Sequence, residues 1–254
     1  MAEPSSRFKD RIALITGGSR GIGRAIAVAL ASQGAPTVVN YLDDETGAER
    51  TVDDITTAGG QGVAVQADVR SADGAARLVS EAERLFGHPV HILVNNAGVI
   101  PNSAGWEAER SETLTDAFLT NAAAAVFCAQ ACVPGMRKAG WGRIVNISSI
   151  YGHHASPAVL SYSMSKAALD AVTKALAVDL GPAGITVNSV APGNIDTAMT
   201  RRAGEDYISY IEQRTPVGRL GTVDEVTDAV LMLCDVPFIS GATLYVDGAL
   251  SLAS

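Results

Sequence analysis

The sequence predicts a doubly wound α/β fold, with about seven parallel strands flanked by helices. Short runs of β-branched and apolar residues recur along the chain and alternate with longer segments of helical pattern. Most of these runs are apolar without strict alternation, as parallel strands covered on both faces must be, and the intervening segments are long enough for crossover helices.

The elements follow in order. The first strand, IALIT from Ile12, runs straight into the turn TGGSRGIG and then the apolar helix RAIAVALASQG. The later strands are TVVNY, GVAVQA, HILVNN, RIVNIS, GITVNSV and ATLYVDG. In SYSMSKAALDA, Tyr162 and Lys166 stand four positions apart near the start of a helix, so they share one face. Gly181 and Pro182 in DLGPAG are expected to end that helix, and Thr222 with Glu225 forms a capping box opening a later one. One extended polar interruption, Gly193 to Gly221, lies between the sixth strand and the last helix and reads as a lid.

Composition bounds the function. At 254 residues, 47% hydrophobic and 18% charged, the chain suits a single well-packed domain over residues 1–254 and argues against disorder. The net charge of −8 disfavours nucleic acid, anionic membranes and strongly acidic proteins as partners, through a repulsive long-range field. The N-terminal MAEPSSRFKDR lacks the apolar region of a secretory signal, and no apolar run approaches the length that spans a bilayer, so a cytoplasmic location is expected. Cys128, Cys132 and Cys234 have no metal-ligand or disulfide spacing and read as small buried hydrophobes. No metal site is expected, since the adjacent His153 and His154 lack a third ligand nearby and read as loop lining.

The glycine-rich turn is the first chemical signal. Gly17, Gly21 and Gly23 sit between a strand and a helix, where glycine permits positive φ and close backbone approach. The helix N-terminus then offers unpaired N–H groups to a pyrophosphate. This context points to a dinucleotide site rather than an empty turn.

The spacing G-x-x-x-G-x-G resembles that of the short-chain dehydrogenase/reductase family, and the resemblance extends over nearly the whole chain. It continues through Asp68 in QADV, NNAG at Asn95 to Gly98, Asn121, Ser149, YSMSK, and PGNIDT from Pro192. The resemblance implies a Rossmann-type fold and an active-site tetrad of Asn121, Ser149, Tyr162 and Lys166. Ser149 is preferred to Ser148 because it stands thirteen positions before Tyr162, the interval the resemblance implies, and Ser148 should point away if VNISS is extended. Asn95 reads as structural, and Asn121 could equally be a helix residue bonded to backbone.

A dinucleotide beside Tyr162 and Lys166 gives that pair a shared task. At ~4 Å an ammonium stabilises a phenolate by about 4 kcal/mol at an effective dielectric of 20, which is expected to bring Tyr162 towards neutrality. The resemblance adds that Lys166 bonds the ribose hydroxyls, Ser149 holds the substrate oxygen and Asn121 positions a water. Hydride then moves between nicotinamide C4 and a carbonyl carbon, with Tyr162 as general acid in reduction and general base in oxidation. The cofactor-binding set it implies is Gly17, Ser19, Arg20, Gly21, Ile22 and Gly23 of the turn, Tyr41, Asp68 and Val69 at the adenine, Asn96, Ala97 and Gly98, Tyr162 and Lys166, and Pro192, Gly193, Ile195 and Thr197. Of the last group, Ile195 and Thr197 are expected at the nicotinamide amide.

NADP(H) is expected to be preferred, with NAD(H) possible. The acid that usually holds a 2′-hydroxyl lies ~20 residues beyond the glycine turn, and there the chain has Tyr41 followed by Leu42. Arg20 is the implied 2′-phosphate ligand, opposed by Asp43 and Asp44.

The expected substrate is a small ketone or secondary alcohol. The alternative, a 3-oxoacyl carrier-protein reductase, is disfavoured because the carrier-docking positions read Gly140 and Ala183, although Arg137, Lys138 and Arg143 lie nearby. A non-catalytic dinucleotide sensor is disfavoured by the intact tetrad. Trp106, Tyr207 and Tyr210 could shape the pocket or pack a hinge. Small apolar residues in NAAAAVFCAQA and KAALDAVTKALAV, beyond one core-facing stripe, together with the resemblance, lead to an expected homotetramer.

Overall fold

The computed structural model describes residues 7–101 and 105–253, so the first six residues of the polar N-terminal stretch lie outside it. The expected strands form one sheet: β1 (Ile12–Ile15), β2 (Thr37–Tyr41), β3 (Gly62–Gln66), β4 (Val90–Asn95), β5 (Gly142–Ile147), β6 (Ile185–Pro192) and β7 (Thr243–Val246). Their order is β3-β2-β1-β4-β5-β6-β7, with every neighbouring pair parallel. The order reverses between β1 and β4, and in such sheets the ligand crevice lies beyond the carboxyl ends of the strands at that switch.

The helices that cover the sheet are α1 (Gly21–Ser32), α2 (Glu45–Thr57), α3 (Ala72–Phe86), α5 (Ala124–Ala139), α6 (Leu160–Leu180) and α9 (Val223–Asp235). Successive strand residues face opposite layers. Ala13 and Ile15 therefore join Ile26, Leu30, Ile55 and Val230 of α1, α2 and α9, while Ile12 and Leu14 join Leu78, Cys128, Met136 and Leu180 of α3, α5 and α6. The cysteines are buried in these cores, and desolvation pushes the Cys128 and Cys234 thiols up to about 12, which leaves them inert.

One expectation holds with a refinement, and a second needs correction. The helix carrying Tyr162 does end at Leu180, but Gly181 is still helical at φ −52 and begins a short 3₁₀ turn. The left-handed stop is Gly184, at φ 73. The second concerns apolar length: α4 (Ser111–Phe118), a π-helical turn (Leu119–Ala123) and α5 run on as one 29-residue helix, long and apolar enough to cross a membrane. Its α5 part lies on the sheet, with Cys128, Cys132 and Met136 buried in the core, as a core helix requires.

The capping box is present as expected, with Thr222 Oγ1 accepting from Glu225 N and Glu225 Oε2 accepting from Thr222 N at 2.8 Å. The polar segment from Gly193 to Gly221 forms α7 (Ala198–Arg201) and α8 (Glu205–Arg214). Its ends are pinned together: Gly221 N donates to Asn194 O at 3.0 Å and Asp196 N to Gly221 O at 2.8 Å. It is thus an excursion closed at its base.

Candidate active site

The glycine turn is built from both sides of the switch point. Gly17 and Gly21 have φ of +62 and +55, values that side chains rarely adopt. A Cβ on Gly17 would come within 3.0 Å of the Ala97 backbone, and one on Gly23 would collide with Asn96 and the Gly17 carbonyl. Asn96 braces this packing, since its Nδ2 donates to Thr16 O at 3.0 Å and Gly17 O at 2.8 Å. Thr16 Oγ1 accepts from both Asn96 N and Ala97 N at 3.0 Å. Arg20 precedes α1 without capping it through its side chain, so the helix N-terminus keeps donors for an anion. Ser19 is buried within the turn.

Beside the turn lies a cleft of about 120 Å³, lined by Gly17, Asn40, Leu42, Asp68, Val69 and Ala97 among others. Tyr41 is a correction. Alternation along β2 sends its side chain to the other layer, where it is 8% exposed and its hydroxyl donates to Glu45 Oε1 at 3.3 Å. Leu42 takes the place at the cleft. Asp68 is present as expected, but Arg70 grips it, through Nη2 to Oδ2 at 2.7 Å and Nε to Oδ1 at 3.0 Å. That hydrogen-bonded guanidinium holds the Asp68 carboxyl below its ordinary range.

The tetrad residues converge at the ends of β4 and β5. Ser149 follows β5 in extended backbone with its side chain close enough to the Tyr162 hydroxyl to favour the phenolate, while its Oγ accepts from Tyr151 N at 3.2 Å. Ser148 turns the other way, toward Asp170 of α6. Lys166 is 3% exposed, its Nζ donates to Ile147 O at 2.7 Å, and it lies 5.6 Å from the centroid of the Tyr162 ring. Burial pushes the Lys166 ammonium down to about 8, against the pull of Asp170.

The expected neutral-range phenol is overturned for the protein alone. Burial pushes Tyr162 up to about 12, with Ser149 pulling it down and Tyr151 pushing it further up. The desolvation of a buried phenolate exceeds what its neighbours return.

Asn121 sits in the π-helical turn and is 2% exposed. Its Oδ1 accepts from Val99 N at 2.8 Å, and its Nδ2 donates to Val99 O and Ser165 Oγ, both at 2.9 Å. The side chain is therefore fully engaged, and its bonds fix the stretch after NNAG. Gly98 keeps that approach open, since a Cβ there would lie 3.1 Å from Asn121 Oδ1 and 3.6 Å from Lys166 Nζ.

Pro192 ends β6 and Gly193 follows it, where a Cβ would press on Asp247 at 2.9 Å. Ile195 is buried, and Thr197 caps α7 and faces Gly21, with its Cγ2 3.9 Å from a Cβ built there. Ile22 is half-buried in the first turn of α1. The aromatic candidates divide. Tyr207 joins the site, whereas Tyr210 is 54% exposed beside Arg214 and Trp106 is 63% exposed. The His153 ring meets that of His154 edge-on at 4.9 Å and that of Tyr245 at 6.1 Å.

Sequence reasoning singled out neither Arg70, Leu42 and Asn194 nor Tyr151. Only Tyr151 left a signal, as the aromatic two positions after Ser149.

A Rossmann-like sheet with a glycine turn at its switch point and a Ser–Tyr–Lys cluster beside it defines the class of nicotinamide-dinucleotide oxidoreductases. The comparisons agree. The family described as "Enoyl-(Acyl carrier protein) reductase" matches residues 17–251. The chain is 37% identical to a 3-oxoacyl-[acyl-carrier-protein] reductase from Synechocystis sp., over 94% of this chain and 96% of that one. A short-chain dehydrogenase/reductase from Serratia marcescens superposes with a TM-score of 0.90 at 36% identity, covering 98% of this chain and all (100%) of that one. A 3-oxoacyl-[acyl-carrier protein] reductase from Brucella melitensis does so with 0.91 at 33% identity, over 98% and 94%. The chain belongs to the short-chain dehydrogenase/reductase family.

Proposed function

We propose that the protein is an NADP(H)-preferring ketoreductase of small ketones, acting as one domain whose segment 193–221 is the substrate lid. The observation that carries this reading is the Ser149 hydroxyl against the Tyr162 phenol, with Lys166 buried alongside. A bound reduced nicotinamide supplies the hydride. Tyr162, neutral across the physiological range, donates its proton to the carbonyl oxygen, and Ser149 holds that oxygen by a second hydrogen bond. Lys166 remains charged near neutral pH and binds the ribose hydroxyls, while Asn121 fixes the adjoining backbone. The glycine turn and the α1 N-terminus hold the pyrophosphate, with Asp68, Val69 and the Asn96–Gly98 stretch along the cleft.

Arg20 supports the NADP(H) preference. It is 74% exposed at its side chain and only loosely paired with Asp44 at 3.5 Å, so it is available to a 2′-phosphate. A second reading comes from the carrier-protein reductases among the relatives. The basic residues that could dock an acidic carrier are largely committed: Arg143 is 5% exposed and donates to Cys234 O at 2.9 Å, and Arg137 pairs with Asp179 at 3.0 Å. This favours a free small ketone.

The cytoplasm and a homotetramer complete the proposal. Phe118 of α4, together with Met164 and Val178 of α6, stays 52%, 54% and 82% exposed, an apolar face suited to a second copy. Following nicotinamide absorbance with NADPH and NADH over a carbonyl panel tests enzyme, cofactor and substrate class together. Turnover of 3-oxoacyl carrier thioesters alone would favour the second reading, and light scattering reads the oligomer.

A further inference from the structure

Beyond Tyr162 the site continues in phenols. The Tyr151 ring meets that of Tyr162 edge-on, with centroids 6.3 Å apart and planes at 69°. Tyr207, brought in by α8, sets its hydroxyl beside that of Tyr151 and donates to Asn194 Oδ1 at 3.1 Å. The Asn194 Nδ2 is buried and has no hydrogen-bond partner. A buried donor left unpaired is costly, so this amide calls for an acceptor.

The cluster is polar but uncharged. Of the basic residues on the same excursion, Arg201 is bonded to both oxygens of Asp196, at 2.7 and 2.6 Å, and Arg219 is bonded to both oxygens of Glu225, at 2.6 and 3.0 Å. Arg214 lies over the outward Tyr210 ring at 5.5 Å, and Arg202, Glu205 and Asp206 are exposed. Arg201 and Arg219 are thus already neutralised, and a substrate carboxylate or phosphate would have to break an ion pair to use them. A carbonyl would find the Asn194 amide as donor, and a hydroxyl would find in addition the Tyr207 oxygen as acceptor, since the Tyr207 proton is given to Asn194 Oδ1.

We propose that Tyr151, Tyr207 and Asn194 form a recognition site for a second, uncharged oxygen of the substrate, so that the enzyme selects hydroxy ketones and diketones over simple ketones. The Tyr151 and Tyr162 rings are in edge-on contact, so one small molecule can meet both phenols. This rests on the ketoreductase reading and narrows its substrate.

The test compares kcat/KM for 1-hydroxybutan-2-one, butan-2-one and 2-oxobutanoate in the wild type and in Tyr207→Phe. The wild type should favour the hydroxy ketone over butan-2-one by at least ~10-fold, with 2-oxobutanoate poorest. Tyr207→Phe should cut that ratio to about threefold or less. A merely structural role lowers both neutral ketones together, so an unchanged ratio overturns the proposal, as does preference for 2-oxobutanoate. Should no ketone turn over, the ketoreductase reading fails on its own. Saturation-transfer NMR of 1-hydroxybutan-2-one on both proteins then decides the recognition site: weaker binding to Tyr207→Phe supports it and equal binding overturns it.

Discussion

Lys166 Nζ donates to the main-chain carbonyl of Ile147 at 2.7 Å, tying the second turn of α6 to the last residue of β5. The ammonium sits where water cannot reach it, and burial pushes it down to about 8. Its folded value lies below the unfolded one, so between about 8 and the ordinary lysine value the folded state binds fewer protons. Stability should therefore rise with pH across that window, and the burial penalty is fully present below it. Lys166→Met is expected to be more stable than wild type at pH 7, on the order of 2 kcal/mol, with the gap closing towards pH 10. Chemical denaturation at both pH values measures this; a gap that widens with pH contradicts it.

The same lysine should serve the nucleotide. Lys166→Ala is expected to weaken cofactor binding and to lower kcat, each by about tenfold or more. Fluorescence titration and steady-state kinetics separate the two, and a change confined to substrate KM would refute the dual role.

Tyr162→Phe should keep cofactor affinity within about twofold while kcat falls by roughly 10³, the scale of a lost general acid. The phenol held at about 12 also predicts that, without nucleotide, ultraviolet difference titration of wild type and variant diverges only above pH 10. A tyrosinate signal near pH 7 that the variant lacks would show that the burial argument underestimates its neighbours.

Ser149 and Ser148 differ by one position and face opposite ways, one to Tyr162 and the other to Asp170. Ser149→Ala should lower kcat by about 10² and Ser148→Ala by less than about threefold. Equal losses would mean that the Asp170 side matters as much as the phenol side.

Arg20 and Asp44 should act against each other on the cofactor. Arg20→Ala is expected to weaken NADPH at least ~10-fold more than NADH. Asp44→Ala should tighten NADPH but cost about 1 kcal/mol of stability, since Asp44 Oδ1 caps α2 by accepting from Gly47 N at 3.1 Å. Calorimetric titration of both nucleotides decides, and a wild-type preference for NADH would assign control to the acids.

Local pattern determined most of the architecture. The seven apolar runs became the seven strands, because burial on both faces demands unbroken hydrophobicity. The glycine turn and the capping box were equally legible, since a positive φ and a Thr–Glu reciprocal bond depend on a few adjacent residues. The preference for Ser149 over Ser148 came from its interval to Tyr162, known from the family resemblance, together with strand alternation. What tertiary structure decided was the environment of each group. Tyr41 occupied the expected position in the chain, yet which layer held the cleft was settled only by the assembled sheet, and the Tyr41 hydroxyl is taken up by Glu45 of α2. The ionisation of Tyr162 could not follow from its spacing to Lys166, because desolvation depends on everything that encloses the pair. Tyr207 and Asn194 stand thirteen positions apart and meet because the excursion between them is closed at Gly221. Periodicity reports a face of an element, whereas a binding wall is made where elements distant in sequence meet.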